Sequence, residues 1–348
     1  MTQDTSPAAR DASPPGPDLA KSPAANAARD AAGQAAAAGL TITARSQGQL
    51  VLRRFLRHRG ALVGMALFLF VVALAVSSIG AGPLPGWWDK DPTTTGTVTS
   101  GGEPTLSVWP EAFGGGGLRL GEHPFGQDNT GRDYFALTMR GAQVSLLIAL
   151  IVGLVATLVG TVIGAAAGYF RGWAESVLMR LTDVVIAIPV LLLAGLIGVM
   201  VADQGLVVFA FFLGLCLWTQ TARLARGEVL ALREKEFVEA ARSVGTSAPR
   251  IIFRHILPNM MGIIIVAATL AIASAVLTES ALSFVGLGVQ PPDTSLGRLI
   301  TDYRSALTVR PWLFYWPGLF IVAIALSVNF IGDGLRDAFD PRQTRVRD

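Results

Sequence analysis

Apolar residues in this chain come in long unbroken runs. Six of them, near 61 to 80, 144 to 170, 182 to 201, 205 to 224, 257 to 281 and 313 to 332, are long enough to cross a hydrocarbon layer of about 30 Å, which takes roughly 20 residues of helix. The pattern predicts an all-α integral membrane protein with six transmembrane helices. Residues 1–46, rich in Ala, Pro, Ser and Asp, show no apolar periodicity and read as a disordered cytoplasmic tail. The first run starts at Ala61 behind Arg53, Arg54, Arg57 and Arg59, the pattern of a retained anchor rather than a cleaved signal. Residues 47–80 then form a juxtamembrane segment with the first span, and 81–142 an external loop with a Gly-rich stretch at Gly114 to Gly117. Residues 143–341 form a core of five further spans, and 342–348 a short tail.

Basic residues orient the spans. With the N-terminus cytoplasmic, the inner segments 45–60, 171–181, 222–256 and 333–348 carry 18 Arg and Lys, against 7 in the outer segments 81–142, 202–204 and 282–312. Both termini are therefore expected in the cytoplasm, and the protein in the cytoplasmic membrane.

Composition agrees with this. The 348 residues are 51% hydrophobic and 15% charged, and the mean hydropathy is +0.51, which suits a bilayer better than water. A formal net charge of +3, with the basic residues scattered, excludes a nucleic-acid surface. One cysteine, Cys216, allows neither an intramolecular disulfide nor a cysteine metal site. His58, His123 and His255 lie too far apart in sequence for a cluster, so no metal site is expected.

In the second span Ala156, Gly160, Gly164 and Gly168 recur every four residues, lining one face with small residues that let another helix approach closely. Between the fourth and fifth spans lies the loop 226–255. There Phe237, Ala241 and Val244 fall at i, i+4 and i+7, predicting a short amphipathic helix with Glu236, Glu239 and Arg242 on the other face. Gly245 is placed to cap its end, and Ser247 with Pro249 to start another turn running into the fifth span at Pro258. Ala240 and Ala241 leave room for a partner's backbone, with Glu239 and Arg242 at the rim. This pattern alone fits a plug for a socket on another protein, or an amphipathic stretch lying on lipid headgroups. Glu279 and Asp183 sit near span ends, where snorkelling or packing is expected and a polar lining of a pathway stays open.

The string Glu239-Ala240-Ala241-Arg242-Ser243-Val244-Gly245, followed by Ile252, His255, Ile256, Pro258 and Asn259, resembles the coupling-helix signature of ABC importer permeases. Further blocks resemble the dipeptide, oligopeptide and nickel group of that family. They are His123-Pro124-Phe125-Gly126 with Asp128 and Gly131-Arg132-Asp133, then Leu181-Thr182-Asp183 with Pro189, Leu282-Ser283-Phe284 through Pro292, and Gly332 through Arg342. The resemblance runs from about 50 to 342 and is to the C-type membrane subunit of a peptide transporter. A tail of 46 residues and an insert from about 92 to 121 depart from it.

The resemblance implies a type I ABC importer permease fold with a cytoplasmic coupling helix. Glu239, Ala240, Ala241, Arg242, Gly245, His255, Pro258 and Asn259 would couple to ATPases, in partnership with a homologous B-type permease, two ATPase subunits and an extracytoplasmic peptide-binding protein. ATP and magnesium would then be bound by the partners, and this chain would not be an enzyme. Its own residues agree, because Lys21, Lys90 and Lys235 are its only lysines and none follows a glycine as a phosphate-binding loop requires. Nor does a nucleophile elbow occur. A nickel or other small-solute importer remains an alternative. An ion-coupled secondary transporter would need ionisable residues near the midplane and interrupted helices, neither evident in the sequence, and a membrane-anchored scaffold would not need the glycine stripe.

Overall fold

A computed structural model describes residues 47–107, 117 and 119–339. The described residues from Leu50 onward belong to one compact unit. The expected tails 1–46 and 342–348, and Gly114 to Gly116, lie outside the described residues.

Helix α1, Gln47–Phe55, precedes α2, Arg59–Ile79. The His58 ring Nδ1 caps α2 by accepting from the Ala61 amide at 3.0 Å. A two-stranded ribbon follows, β1 Gly80–Ala81 antiparallel to β2 Leu84–Pro85. Then come α3 Tyr134–Phe170, α4 Gly172–Ala187, α5 Val190–Met200, α6 Leu206–Leu217 and α7 Thr219–Arg233. Helix α8 is Glu236–Ser243 and α9 Ala248–Ile251. A π-helical turn at Ile252–Ile256 runs into α10 Leu257–Asn259 and α11 Met261–Phe284, and the chain closes with α12 Leu296–Tyr303 and α13 Trp312–Phe339.

Among the described residues, helices α2, α3, α11 and α13 are each long and apolar enough to cross a membrane, and the bent pairs α4/α5 and α6/α7 bring the spans to six when each is one crossing. The expected unbroken spans 182–201 and 205–224 are corrected here, because the first pair bends by 87° and the second by 49°. Pro189 explains the first break. It has no N–H to donate and pushes Ile188 out of the helical region, to ψ 125°. The second pair bends at Trp218 and continues as helix to Arg233, so the first eight residues of the expected loop 226–255 extend that helix. Helix α3 starts ten residues before the expected 144, because Asp133 caps it by accepting from the Ala136 amide at 2.8 Å. Its 37 residues measure about 55 Å at 1.5 Å each, well beyond the hydrocarbon thickness.

The main core surrounds α3. Ile148, Ala149 and Val152 pack with Phe209 and Leu213 of α6, Ala273 and Val276 of α11, and Ile321, Ile324 and Val328 of α13. Leu150, Leu154, Leu158 and Val162 on the opposite side of α3 are exposed, as hydrocarbon-facing residues are. The described part of the insert 92–121 is stitched to the chain around 123–131, with Gln127 Oε1 accepting from the Thr99 amide at 2.8 Å, the Gln127 amide donating to the Gly102 carbonyl at 2.9 Å and the Thr105 amide to the His123 carbonyl at 2.9 Å.

Candidate functional site

Helix α8 ends in a turn that only its sequence context explains. Gly245 has φ +76°, the left-handed region where a side chain is strained. Its amide donates to the Arg242 carbonyl at 3.0 Å, and the Thr246 amide reaches back to the Ala241 carbonyl at 3.1 Å. This pair of bonds is the Schellman arrangement, which satisfies two carbonyls that a helix end leaves orphaned. Ser247 sits at the start of α9 but its hydroxyl makes no capping bond there, so the entry rests on Pro249.

The buried face of α8 differs from the expected one. Val238 and Ala241 are buried, whereas Phe237 is 40% and Val244 81% exposed. Val244 follows the last helical residue, Ser243, and so leaves the helical face on which its spacing would place it. Ala241 belongs to an apolar cluster with Ala165 and Tyr169 of α3, Ala225 and Val229 of α7, Ile251 of α9, and Ile252 and Ile256 of the π-helical turn. It therefore packs inward and is not open to a partner's backbone, which corrects the expectation for that residue. Glu239, Ala240, Arg242 and Gly245 stay exposed. His255 is half-buried, and Pro258 and Asn259 are exposed, the Asn259 side-chain Nδ2 donating to the His255 carbonyl at 2.6 Å. Pro258 breaks ordinary helical bonding, and the preceding turn is the π-helical one, whose wider bonds accommodate such a defect.

Ala156, Gly160, Gly164 and Gly168 are all buried. A Cβ on Gly160 would sit 2.6 Å from the Trp218 carbonyl oxygen, one on Gly164 2.4 Å from that of Ala222, and one on Gly168 2.8 Å from that of Arg226. The stripe thus lets α7 lie with its main chain directly against α3. Because α7 leads into α8, the stripe and the exposed helix belong to one packed unit.

Two buried polar clusters escaped the sequence reading. Glu279 in α11 is buried, not snorkelling, and accepts hydrogen bonds from Ser295 Oγ at 2.6 Å, Ser283 Oγ at 2.7 Å and Ser145 Oγ at 3.2 Å. Ser145 Oγ also accepts from the Leu296 amide at 3.1 Å, so one carboxyl ties α3, α11 and the start of α12 together. Ser283 lies four residues on from Glu279 in the same helix, but nothing local connects Ser145 or Ser295 to residue 279. Asp183, by contrast, is half-exposed and ion-pairs with Arg223 at 2.6 Å.

The second cluster precedes α3. Asp128 is buried and its carboxylate accepts from Arg132 Nε at 2.7 Å and Tyr303 Oη at 2.8 Å, while Arg132 Nη2 donates to Tyr303 Oη at 2.9 Å. Burial opposes ionisation of Asp128, but the hydrogen bonds from Arg132 and Tyr303 outweigh it and hold the carboxyl below its usual range. The same burial, with the Asp128 charge beside it, pushes the Tyr303 hydroxyl well up. Asp133 joins His123 Nδ1 at 2.7 Å and Trp88 Nε1 at 3.1 Å.

The sequence signature described as "Binding-protein-dependent transport system inner membrane component" matches residues 160–345. The chain belongs to this family. That match runs from Gly160 of the stripe through α8, the π-helical turn and Glu279. A second signature, the N-terminal transmembrane domain of oligopeptide transport permease C, matches residues 46–92 and so covers α1 and α2. Among relatives, the oligopeptide transport system permease protein OppC of Mycobacterium tuberculosis is 36% identical over 87% of this chain and 97% of its own length. OppC of Salmonella typhimurium is 38% identical over 87% of this chain and 94% of its own. A chain of the inward-facing MetNI methionine ABC transporter superposes with a TM-score of 0.48 at 19% identity, covering 59% of this chain and 97% of that one. As a binding-protein-dependent inner membrane component, the protein is a multi-pass transport subunit of the oligopeptide permease C type. Asp128 and Arg132 lie between the two matched regions, and their partner Tyr303 lies within the 160–345 match.

Proposed function

We propose that this chain is one membrane-spanning half of a peptide importer of the ABC type, driven by separate ATPases. The observation that carries the reading is α8. Its inner face, Val238 and Ala241, is fused to the ends of α3 and α7, while Phe237, Glu239, Ala240 and Arg242 are left uncovered. A short helix so anchored passes any displacement of its outer face to two spans at once. The other half would be a homologous B-type permease, and two cytoplasmic ATPase subunits would hold ATP and magnesium and grip α8. An extracytoplasmic binding protein would deliver the peptide. Both termini would then be cytoplasmic, and closure of the ATPases would turn the shared cavity from inward-facing to outward-facing. The relatives named as oligopeptide permeases support peptides as the cargo.

The test is uptake of labelled peptide into vesicles holding the full complex. Uptake that requires ATP and the binding protein supports the reading. Uptake that persists without ATP and collapses with the ion gradient overturns it.

A further inference from the structure

Between helices α4 and α7 lies an open groove of about 470 Å³ whose lining includes Glu175, Arg180, Asp183, Arg223 and Arg226. Two ion pairs cross it, Asp183 to Arg223 at 2.6 Å and Glu175 to Arg226. Asp183 and Arg223 are 50% and 48% exposed, so the first pair stands open to whatever fills the groove. Arg180 is exposed and has no hydrogen-bond or ion-pair partner among the described residues. Both walls belong to the bent pairs, α4 to the one broken at Pro189 and α7 to the one bent at Trp218. In a bilayer such breaks are tolerated where protein or a water-filled cavity covers the freed backbone groups.

We infer that this groove is a subsite of the translocation path that holds the charged ends of the peptide. Arg180 takes the C-terminal carboxylate and Asp183, released from Arg223, takes the α-ammonium. The inference rests on the peptide-importer reading above and adds where in this chain the cargo is touched. Charge favours a zwitterion over the headgroup of an anionic phospholipid, which presents negative charge alone. A phosphate is matched by cations alone, and Asp183 and Glu175 would repel it. A peptide presents one group of each sign, which three guanidinium and two carboxylate groups can satisfy together. The volume lies in the range of small-ligand sites, about 300–1,000 Å³.

The experiment uses the full complex in vesicles, with trialanine, its C-terminal amide and its N-acetyl form as cargo, each rate divided by that of the wild type. Arg180→Gln should slow free trialanine about 3- to 10-fold more than the amide, the range of a charge-assisted hydrogen bond discounted for an open groove. Arg180→Lys should recover most of the loss. Asp183→Asn should penalise trialanine more than the N-acetyl form. A photoreactive trialanine should label 175–183 or 223–226 in the stalled complex. Equal slowing of all three cargoes by Arg180→Gln, appearing only with anionic lipid, overturns the inference in favour of a headgroup site. Labelling confined to other segments overturns it as well. Failure of the wild type to import any peptide sinks the importer reading instead, so the two failures are told apart.

Discussion

Replacing Gly164 by alanine tests the seam between α3 and α7. The added methyl would lie 2.4 Å from the Ala222 carbonyl oxygen, 2.7 Å from the Ala225 Cβ and 2.9 Å from the Arg226 nitrogen. Ordinary contact begins near 3.4 Å, so α7 must retreat by about 1.0 Å. None of the three atoms can swing away as a flexible side chain would. Overpacking of this kind costs about 1–3 kcal/mol. Gly227 provides the control on α7 itself, because a Cβ there meets nothing within 4 Å. Gly227→Ala should be neutral, or stabilising by up to about 1 kcal/mol through helix propensity. The two variants should therefore differ by at least about 1–3 kcal/mol, roughly 5- to 150-fold in the folded-to-unfolded ratio. Unfolding of the purified complex in mixed micelles of mild detergent and dodecyl sulfate, followed by tryptophan fluorescence, measures the difference. Gly160→Ala and Gly168→Ala, with nearest approaches of 2.6 and 2.8 Å, should fall between. A Gly164→Ala protein as stable as Gly227→Ala would refute the reasoning.

At Gly245 the cost is purely conformational, since no atom lies within 4 Å of a Cβ there. Gly245→Ala should weaken the end of α8 by about 1–2 kcal/mol, and Gly245→Asn, which tolerates positive φ, should recover most of it; uptake per ATP hydrolysed is the readout, and equal behaviour of the two argues against the cap. Glu279→Leu leaves three hydroxyls without their acceptor at about 1–3 kcal/mol each, and Glu279→Gln, isosteric and still an acceptor, should lose less than half as much in the same micelle titration. Asp128, with its carboxyl held below the unfolded value near about 4, contributes stability that is complete above that value and lost as pH falls through the folded one. Asp128→Asn should accordingly flatten the fall in unfolding midpoint below about pH 4, and an unchanged acid limb would count against the cluster.

What was legible in the sequence was what neighbouring residues decide. The apolar runs, the four-residue spacing of Gly160, Gly164 and Gly168, and the turn at Gly245 all rest on local composition or backbone chemistry. Pro189 was equally visible, but its consequence, a break within 182–201, was hidden by the unbroken apolar pattern on both sides. The bend at Trp218 carries no proline or glycine to announce it. Which face α8 buries was misread because eight residues make barely two turns. Packing against α3, α7 and the segment after α9 decided it, and Val244 falls past the helix end. The Glu279 cluster was unreadable for another reason, because its Ser145 partner is 134 residues away.

The central claim, that α8 is gripped by an ATPase, is tested most directly by trapping. Ala240→Cys in a Cys216→Ser chain places a single thiol on the exposed side of α8. Treated with a short thiol-to-amine crosslinker in the purified complex, it should join the chain to an ATPase subunit, and the yield should change when ATP is added. A thiol that couples only to lipid or within its own chain, while ATPase subunits remain in the complex, contradicts the account.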